Sequence, residues 1–432
     1  MSLENFITDM LNIKSENIEK LTSINQSNDS IIIKITMKKD PNCNCPICHG
    51  KIKILGYYPR KLTHSTLVNR KCTIIYNQRR YYCPTCEFSF HEDNPFIHTK
   101  ENLTIETIVN VLTDLKDGGV TYTLIAKRYN LSVTKVQNIF DKHVDIPRKT
   151  LPRVLSIDEH YFPSSSYDSL YCCILMDFET GIVMDILPDR KKAYLSSYFN
   201  NIKNATLDDK TKISELDNVK FVSIDLYDNY RDIAHKYFPT ALVCADSFHV
   251  IKHLTDAFKD VRLRCRRSTE DKDLQYLLTR FKYIFHHETN IDNKPKYNKR
   301  FKRKMNYRDM MTILFDRFPD LKVAYELKEK YILFNETTTR EIVEERFPSI
   351  LMDFANCNIL EYEEFYNLLR NWYNEIINSF NIANNKRINN SYIESRNKQI
   401  ERLLFNANGY TNFKRARNRM MYCLNKDDTY KI

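Results

Sequence analysis

Long apolar runs are missing from this chain. No stretch approaches the ~18 residues that a membrane-spanning helix needs, which argues against a membrane protein. Missing too is a secretory leader: Met1 to Asp40 mixes polar and apolar residues without a basic, apolar, small-residue succession, so export is not expected. The expectation is a soluble, cytoplasmic protein whose 12 cysteines stay reduced and are read as metal ligands before disulfides. Glycine is scarce at 6 residues, beside abundant Asn, Lys, Ile and Tyr; this pattern reads as an AT-rich coding bias and excludes no function. Tryptophan occurs once, as Trp372, in a helical stretch where filling a core is a more ordinary role than stacking on a flipped base.

What is present starts with length and charge. A chain of 432 residues should divide into roughly two to four units, since domains mostly run to about 100–200 residues. Lysine and arginine number 66 against 55 aspartates and glutamates, and the resulting +11 favours a polyanionic partner such as nucleic acid without requiring one.

Ile31 to Lys38 alternates as a strand should and is followed by Cys45-Pro-Ile-Cys48; Thr73 to Tyr82 does the same ahead of Cys83-Pro-Thr-Cys86. Each turn presents two thiolates, and two turns complete the four-thiolate shell of structural Zn2+. Cys43, His49 and Cys72 are alternative ligands, and a cluster of buried thiols is the plain alternative. Downstream, Leu103 to Leu115 is amphipathic and stops at Gly118-Gly119. Thr121 to Tyr129 and Val133 to Val144 then flank Asn130-Leu131-Ser132 with helix-turn-helix spacing. Ala126 suits a close helix crossing and Asn130 a left-handed turn. Lys127, Arg128, Lys135, Gln137, Asn138 and Lys142 would contact DNA. Many three-helix bundles share this spacing without touching DNA.

After the linker Ile146 to Pro152 come short apolar strands. Strands at Val154 to Asp158, Ser169 to Asp177 and Gly181 to Leu187, a helix at Ala193 to Ile202, a strand at Val219 to Asp225, a helix at Tyr227 to Phe238, a strand at Ala241 to Asp246 and a helix at Phe248 to Arg266 give the ribonuclease H-like order. A charged helical stretch resembling an insertion runs from Ser268 to about Phe380, and a last helical segment covers Tyr392 to Leu424.

Phosphodiester chemistry with two Mg2+ ions, or Mn2+, needs carboxylates converging on one cleft. Asp158 and Asp225 end strands that neighbour each other in this order, and Glu394 opens a helix after the insertion. Taken singly, Asp225 and Asp246 are ordinary helix N-caps, and Ser391 to Glu394 reads as a capping box. Taken together, the three acids favour a metal site. Lys398 and Arg402 extend the face of Glu394 as a basic stripe able to grip phosphates. Asp246 and His249 stand one turn apart, with a structural or phosphate-orienting role. Cys172, Cys173, Cys244 and Cys265 read as buried thiols.

These residues resemble the ISL3 family of bacterial insertion-sequence transposases over nearly the whole chain. The resemblance rests on the paired cysteine knuckles, the helix-turn-helix, Ser156-Ile-Asp-Glu159, Val222-Ser-Ile-Asp225, Ala245-Asp-Ser-Phe-His-Val-Ile-Lys252, Ala324-Tyr-Glu-Leu-Lys328 and Tyr392-Ile-Glu-Ser-Arg-Asn-Lys398. It implies a catalytic triad of Asp158, Asp225 and Glu394, a secondary acid and histidine in Asp246 and His249, and an all-helical insertion. It also implies binding of terminal inverted repeats, hydrolysis at the element's end, and attack of the freed 3′-hydroxyl on target DNA. A homodimer or larger assembly on DNA is implied as well, associated with the bacterial nucleoid when bound. One departure is the approach to Glu394, where a Gly- or Asn-rich lead is expected and Asn389-Asn390 lies slightly upstream. The expected architecture is multi-domain α/β: a zinc ribbon-like module at 1–100, helix-turn-helix at 101–150, a ribonuclease H-like mixed-sheet catalytic domain at 151–267 and 381–432, and the all-helical insertion at 268–380. The competing readings are a catalytically inactive, transposase-derived, zinc-containing DNA-binding protein, which binds without cutting, and a nuclease that cuts without joining.

Overall fold

In the computed structural model, which describes residues 13–27, 29–67, 70–97, 101–162, 169–207, 214–407 and 410–432 together with Thr8 and Leu11, the chain forms two units. One comprises Met1–Ile146, Gln399–Tyr410 and Lys414–Ile432, the other Pro147–Lys398 and Thr411–Phe413.

In the first unit, β1 (Ile18–Ser27), β2 (Ser30–Met37), β3 (Lys53–Leu67), β4 (Arg70–Cys83) and β5 (Phe88–His91) make one sheet in the order β1-β2-β4-β3, with β5 also paired to β4. Burial alternates along β4, so that Cys72, Ile74 and Tyr76 point into a core shared with Ile33, Ile35 and Leu62. β1 and β3 are absent from the sequence reading. β3 carries Gly56 and Pro59, which ordinarily interrupt a strand; its place at the sheet edge, with β4 as its one partner strand, lets the proline lack a donor at little cost.

Three helices follow: α1 (Ile105–Asp114), α2 (Tyr122–Tyr129) and α3 (Val133–His143). Thr104, Thr121 and Ser132 cap their first turns, accepting from the amides of Thr107, Leu124 and Lys135. Asn130 ends α2 in the left-handed region at φ 55° and ψ 47°. The sequence pattern puts residues 381–432 at the end of the catalytic domain. In the structure the C-terminal helical residues pack onto the first unit's helices, with the Tyr422 hydroxyl donating to the Leu112 carbonyl at 3.0 Å and Arg419 to the carbonyls of Asp117 and Val120.

The second unit holds a sheet of β6 (Val154–Tyr161), β7 (Tyr171–Asp177), β8 (Val183–Leu187), β9 (Phe221–Ile224) and β10 (Leu242–Ala245) in the order β10-β9-β6-β7-β8. β10, β9 and β6 run parallel, while β7 and β8 are antiparallel. Both faces are covered. Leu155, Ile157, Val222 and Val243 join the main core with α4 (Lys192–Leu207), α5 (Asp228–Tyr237) and α6 (Ser247–Arg267), whereas Val154 and Cys244 pack with Ala383 and Ile388 on the other side. Burial on both faces explains why these strands read as continuous apolar runs.

The insertion follows as α7 (Lys272–Arg280), α8 (Tyr307–Arg317), α9 (Pro319–Thr337), α10 (Val343–Ala355), α11 (Leu360–Asn371) and α12 (Tyr373–Asn378). The expectation that it is all-helical needs correcting: β11 (Lys296–Asn298) and β12 (Arg303–Met305) form a hairpin within it. The Asn298 side chain accepts from the amides of Arg300 and Phe301, and Lys302 takes φ 51°, a polar turn invisible to apolar periodicity. Trp372 is a core residue, buried under the guanidinium of Arg231 at 4.3 Å from its ring. A two-residue hairpin, β13 (Ile382–Ala383) and β14 (Lys386–Arg387), leads to α13 (Ser391–Asn406). No helix among the described residues is long and apolar enough to cross a membrane.

Candidate active site and metal centres

Register decides what meets at the C-terminal ends of the parallel strands. Ile157 of β6 lies opposite Ile224 of β9, and Ile224 opposite Ala245 of β10. One residue further along each chain stands an acid: Asp158, Asp225 and Asp246. The sequence reading ends the first strand at Asp158; β6 in fact continues to Tyr161, paired with β7, after β9 has stopped. The ordinary capping roles do not hold. The N-cap of α5 is Tyr227 rather than Asp225, and Asp246 occupies the N-cap position of α6 without making a capping bond. Glu394 sits at the fourth position of α13, one beyond the residue that closes a capping box.

Instead the acids bond to one another's neighbours. His249, in the first turn of α6, places Nδ1 2.8 Å from Asp246 Oδ2 and 3.2 Å from Asp225 Oδ1. Asp225, Asp246 and His249 present ligand atoms within 4.8 Å of one another. Asn390, fully buried just before α13, donates from Nδ2 to Asp225 Oδ1 at 2.9 Å and from its backbone N–H to Asp246 Oδ1 at 3.1 Å, and accepts from Ser223 Oγ at 2.7 Å. Asn397 Nδ2 donates to Asp158 Oδ2 at 2.6 Å, and the Glu159 amide to Asp158 Oδ1 at 2.7 Å.

Burial, and then the charge of Asp225, push the Asp158 carboxyl up to about 8. Burial likewise raises Asp225 to about 7, the Asp246 charge adding to it while bonds from Asp158 and Asn390 oppose it. Glu394 is raised by burial and by Asp246, with His249 and Lys398 pulling the other way; neither Glu394 nor Asp158 is among the side chains whose ligand atoms lie within 4.8 Å of one another. Buried carboxylates crowded around one imidazole are a donor set that a hard divalent cation relieves. At the rim Glu159 pairs with Arg190, whose guanidinium lies 4.3 Å from the Tyr171 ring and 5.1 Å from that of Tyr227.

The first unit holds a second cluster. Cys45 and Cys86 have sulfurs 3.5 Å apart, Cys48 and Cys83 3.4 Å, and all four lie within 4.8 Å. The β3/β4 hairpin closes the long interval between the two knuckles, since Lys53 pairs with Tyr82 and the two knuckles emerge together. Each knuckle ends in a left-handed residue, His49 and Glu87, both at φ 55°. The backbone amides of Cys48 and Ile47 lower the Cys45 pKa, and those of Cys86 and Thr85 lower that of Cys83, which favours thiolate. A tetrahedral zinc with ~2.3 Å bonds sets its sulfurs about 3.8 Å apart, so small outward shifts would admit the ion. Cys43, His49 and Cys72 lie outside the set; Cys72 is a core residue of β4.

A family model described as a transposase, of the ISL3 type, matches residues 155–420. The chain belongs to the ISL3 family of transposases. No curated protein matches it.

The surface of this transposase qualifies the DNA-contact residues read from sequence. Lys127 and Asn138 are exposed and Gln137 half-buried. Arg128 is paired with Asp114 at 2.5 Å, and Lys135 and Lys142 both reach Glu101, at 3.3 and 2.6 Å. Lys398 and Arg402 are exposed. The sequence reading gave no role to Asn390, Asn397, Glu159 or Arg190, although the first three stand in stretches it quotes. Asn397 was findable, because it follows Glu394 by three residues on the same helical face. Asn390 was not, because its partners come from two distant strands.

Proposed function

We propose that this transposase cuts and joins DNA strands at a centre made by Asp158, Asp225 and Glu394, on a catalytic domain of ribonuclease H-like architecture. The observation that carries the reading is the register: Asp158 and Asp225 stand level on adjacent parallel strands, and the helix bearing Glu394 is tied back to them through Asn390 and Asn397. Strand-borne carboxylates held by such bonds are pre-set rather than assembled by the substrate. Asp158, Asp225 and Glu394 would hold two Mg2+ or Mn2+ ions. Such ions supply charge neutralisation at the scissile phosphate and activation of the attacking oxygen. Asp246 fixes His249 and the start of α13, so that the imidazole faces Asp225 and can orient a phosphate beside it.

The cysteine cluster would hold one structural Zn2+ and so fix the ends of the β3/β4 hairpin. The helices α2 and α3, joined by the left-handed Asn130, act as a helix-turn-helix that reads the inverted repeats, with Lys127, Gln137 and Asn138 free to reach DNA and Arg128, Lys135 and Lys142 able to exchange Asp114 and Glu101 for phosphates. Lys398 and Arg402 would grip phosphates near the cut. Pairing two element ends calls for a homodimer or larger assembly on DNA.

The test is strand cleavage and joining on a labelled duplex carrying the gene's flanking repeats, in Mg2+, with wild type against Glu394→Ala. Cutting at the repeat boundary with joined products, absent in the variant, is the expected result. Binding without cleavage by either protein would make the chain an inactive DNA-binding descendant, and cutting without joining a nuclease.

A further inference from the structure

We propose that Asn397 is a further ligand of the metal centre: its carboxamide oxygen supplies a neutral donor beside Asp158, and the side chain turns over to do so. The inference rests on the metal-centre reading above and adds a residue to it.

In the structure the amide faces the other way. Nδ2 donates to Asp158 Oδ2 at 2.6 Å, while Oδ1 is removed from solvent and has no hydrogen-bond partner among the described residues. Such a carboxamide is half satisfied. A half-turn about Cβ–Cγ exchanges the two atoms and brings the oxygen to Asp158 in place of the nitrogen. What stands at Asp158 then decides between them. A bare carboxylate oxygen favours the N–H. Once a divalent cation binds that oxygen, the N–H has lost its acceptor and faces a positive charge, and the amide oxygen is favoured.

Spacing and placement agree with this. Adjacent oxygens around an octahedral Mg2+ with ~2.1 Å bonds stand about 3.0 Å apart. The atom of Asn397 nearest Asp158 stands 2.6 Å from it, so a few tenths of an ångström separate the bonded pair from a shared coordination edge. Asn397 also follows Glu394 by three residues, on the same face of α13. A neutral oxygen adds coordination without adding to the repulsion among Asp158, Asp225 and Asp246. Asn390 makes the contrast: both atoms of its amide are bonded, to Asp225 and Ser223, and a turn would break both bonds. Asn390 braces the site, whereas Asn397 is poised to change partners.

The experiment is calorimetric titration of Mn2+ into the full, zinc-loaded chain, comparing wild type with Asp158→Asn, Asn397→Ala and Asn397→Asp, each first melted in EDTA. The expected pattern is binding by wild type, loss in Asp158→Asn, about ten-fold weaker binding in Asn397→Ala, and tighter binding than wild type in Asn397→Asp. The last variant separates ligand from brace, because it removes the N–H that holds Asp158 and supplies a stronger oxygen donor. Asn397→Asp binding no more tightly than wild type, or Asn397→Ala binding equally well, overturns the proposal and leaves the metal centre standing. If Asn397→Ala melts well below wild type, Asn397→Ser takes its place. Wild type that binds no Mn2+, or Asp158→Asn that binds as wild type does, overturns the metal centre and the proposal together.

Discussion

Replacing Asn390 with alanine should destabilise the second unit by about 3 kcal/mol without removing a proposed ligand. The side chain is fully buried and makes two bonds, Nδ2 to Asp225 at 2.9 Å and Oδ1 from Ser223 Oγ at 2.7 Å. Alanine orphans the Ser223 hydroxyl, which is itself fully buried, and strips one donor from the largely buried Asp225 carboxylate. A buried orphan costs about 1–3 kcal/mol, with bonds to charged groups toward the upper end. The backbone N–H that reaches Asp246 survives the change, so only the side-chain bonds are lost. A loss of about 3 kcal/mol corresponds to roughly 6–12 °C in Tm for a unit of this size. Thermal unfolding followed by near-UV circular dichroism in EDTA reads it, with Asn390→Asp as the second variant. Aspartate keeps an acceptor for Ser223 but sets a third charge against Asp225 and Asp246, so it should melt below the alanine variant in EDTA and recover more when Mn2+ is added. An alanine variant melting within about 2 °C of wild type, or an aspartate variant more stable than it in EDTA, would refute this accounting.

Asp158→Asn, Asp225→Asn and Glu394→Gln should each abolish Mg2+-dependent strand cleavage while leaving duplex binding intact by gel shift; a variant that loses both would break the proposed division of labour. Stripping zinc, or Cys83→Ser, should release one zinc per chain in a colorimetric assay and weaken duplex binding, and full binding by stripped protein would refute the four-cysteine site. The buried His64 ring is held down at about 4 by desolvation, against 6.5 when free. The unfolded chain therefore takes up a proton below pH 6.5 that the folded state refuses until about 4. The associated stability is complete above pH 6.5 and shrinks by about 2 kcal/mol at pH 5. Urea midpoints at pH 7 and 5 should show that loss in wild type and little of it in His64→Gln; equal losses would place the acid sensitivity elsewhere.

What the sequence made legible was local. The two knuckles declare themselves over a few residues, and so does the left-handed Asn130. The strands of the second unit were visible because burial on both faces leaves them uniformly apolar. β3 was hidden because Gly56 and Pro59 speak against a strand, and only its edge position makes them tolerable. The hairpin inside the insertion was hidden by its polarity and by a turn that depends on the Asn298 side chain. The packing of Lys414–Ile432 within the first unit depends on contacts made by Arg419 and Tyr422 hundreds of positions away from their partners, which no window on the sequence contains. For the same reason the acids could be nominated but Asn390, whose partners Asp225, Asp246 and Ser223 lie far off in the sequence, could not.

The row of three acids raises the question of which are ligands. Register alone gives Asp158, Asp225 and Asp246 equal claims, since each stands one residue past a paired position. Their surroundings separate them. Asp246 uses Oδ1 on the Asn390 amide and Oδ2 on His249, so its carboxylate is committed to the start of α13 and to the imidazole. Asp158 is bonded at both oxygens as well, Oδ1 by the Glu159 amide and Oδ2 by Asn397, but the Asn397 contact is the one proposed above to give way, whereas the Asp246 bonds hold α13 and the imidazole; Asp225 faces both the histidine and the row. An acid so committed fits a brace better than a ligand, which leaves Glu394 to complete the set. Asp246→Asn should then retain Mn2+ at reduced affinity, because His249 and α13 lose their anchor, where Asp158→Asn loses it. Equal loss in the two variants would make Asp246 a ligand and remove the reason for assigning that place to Glu394.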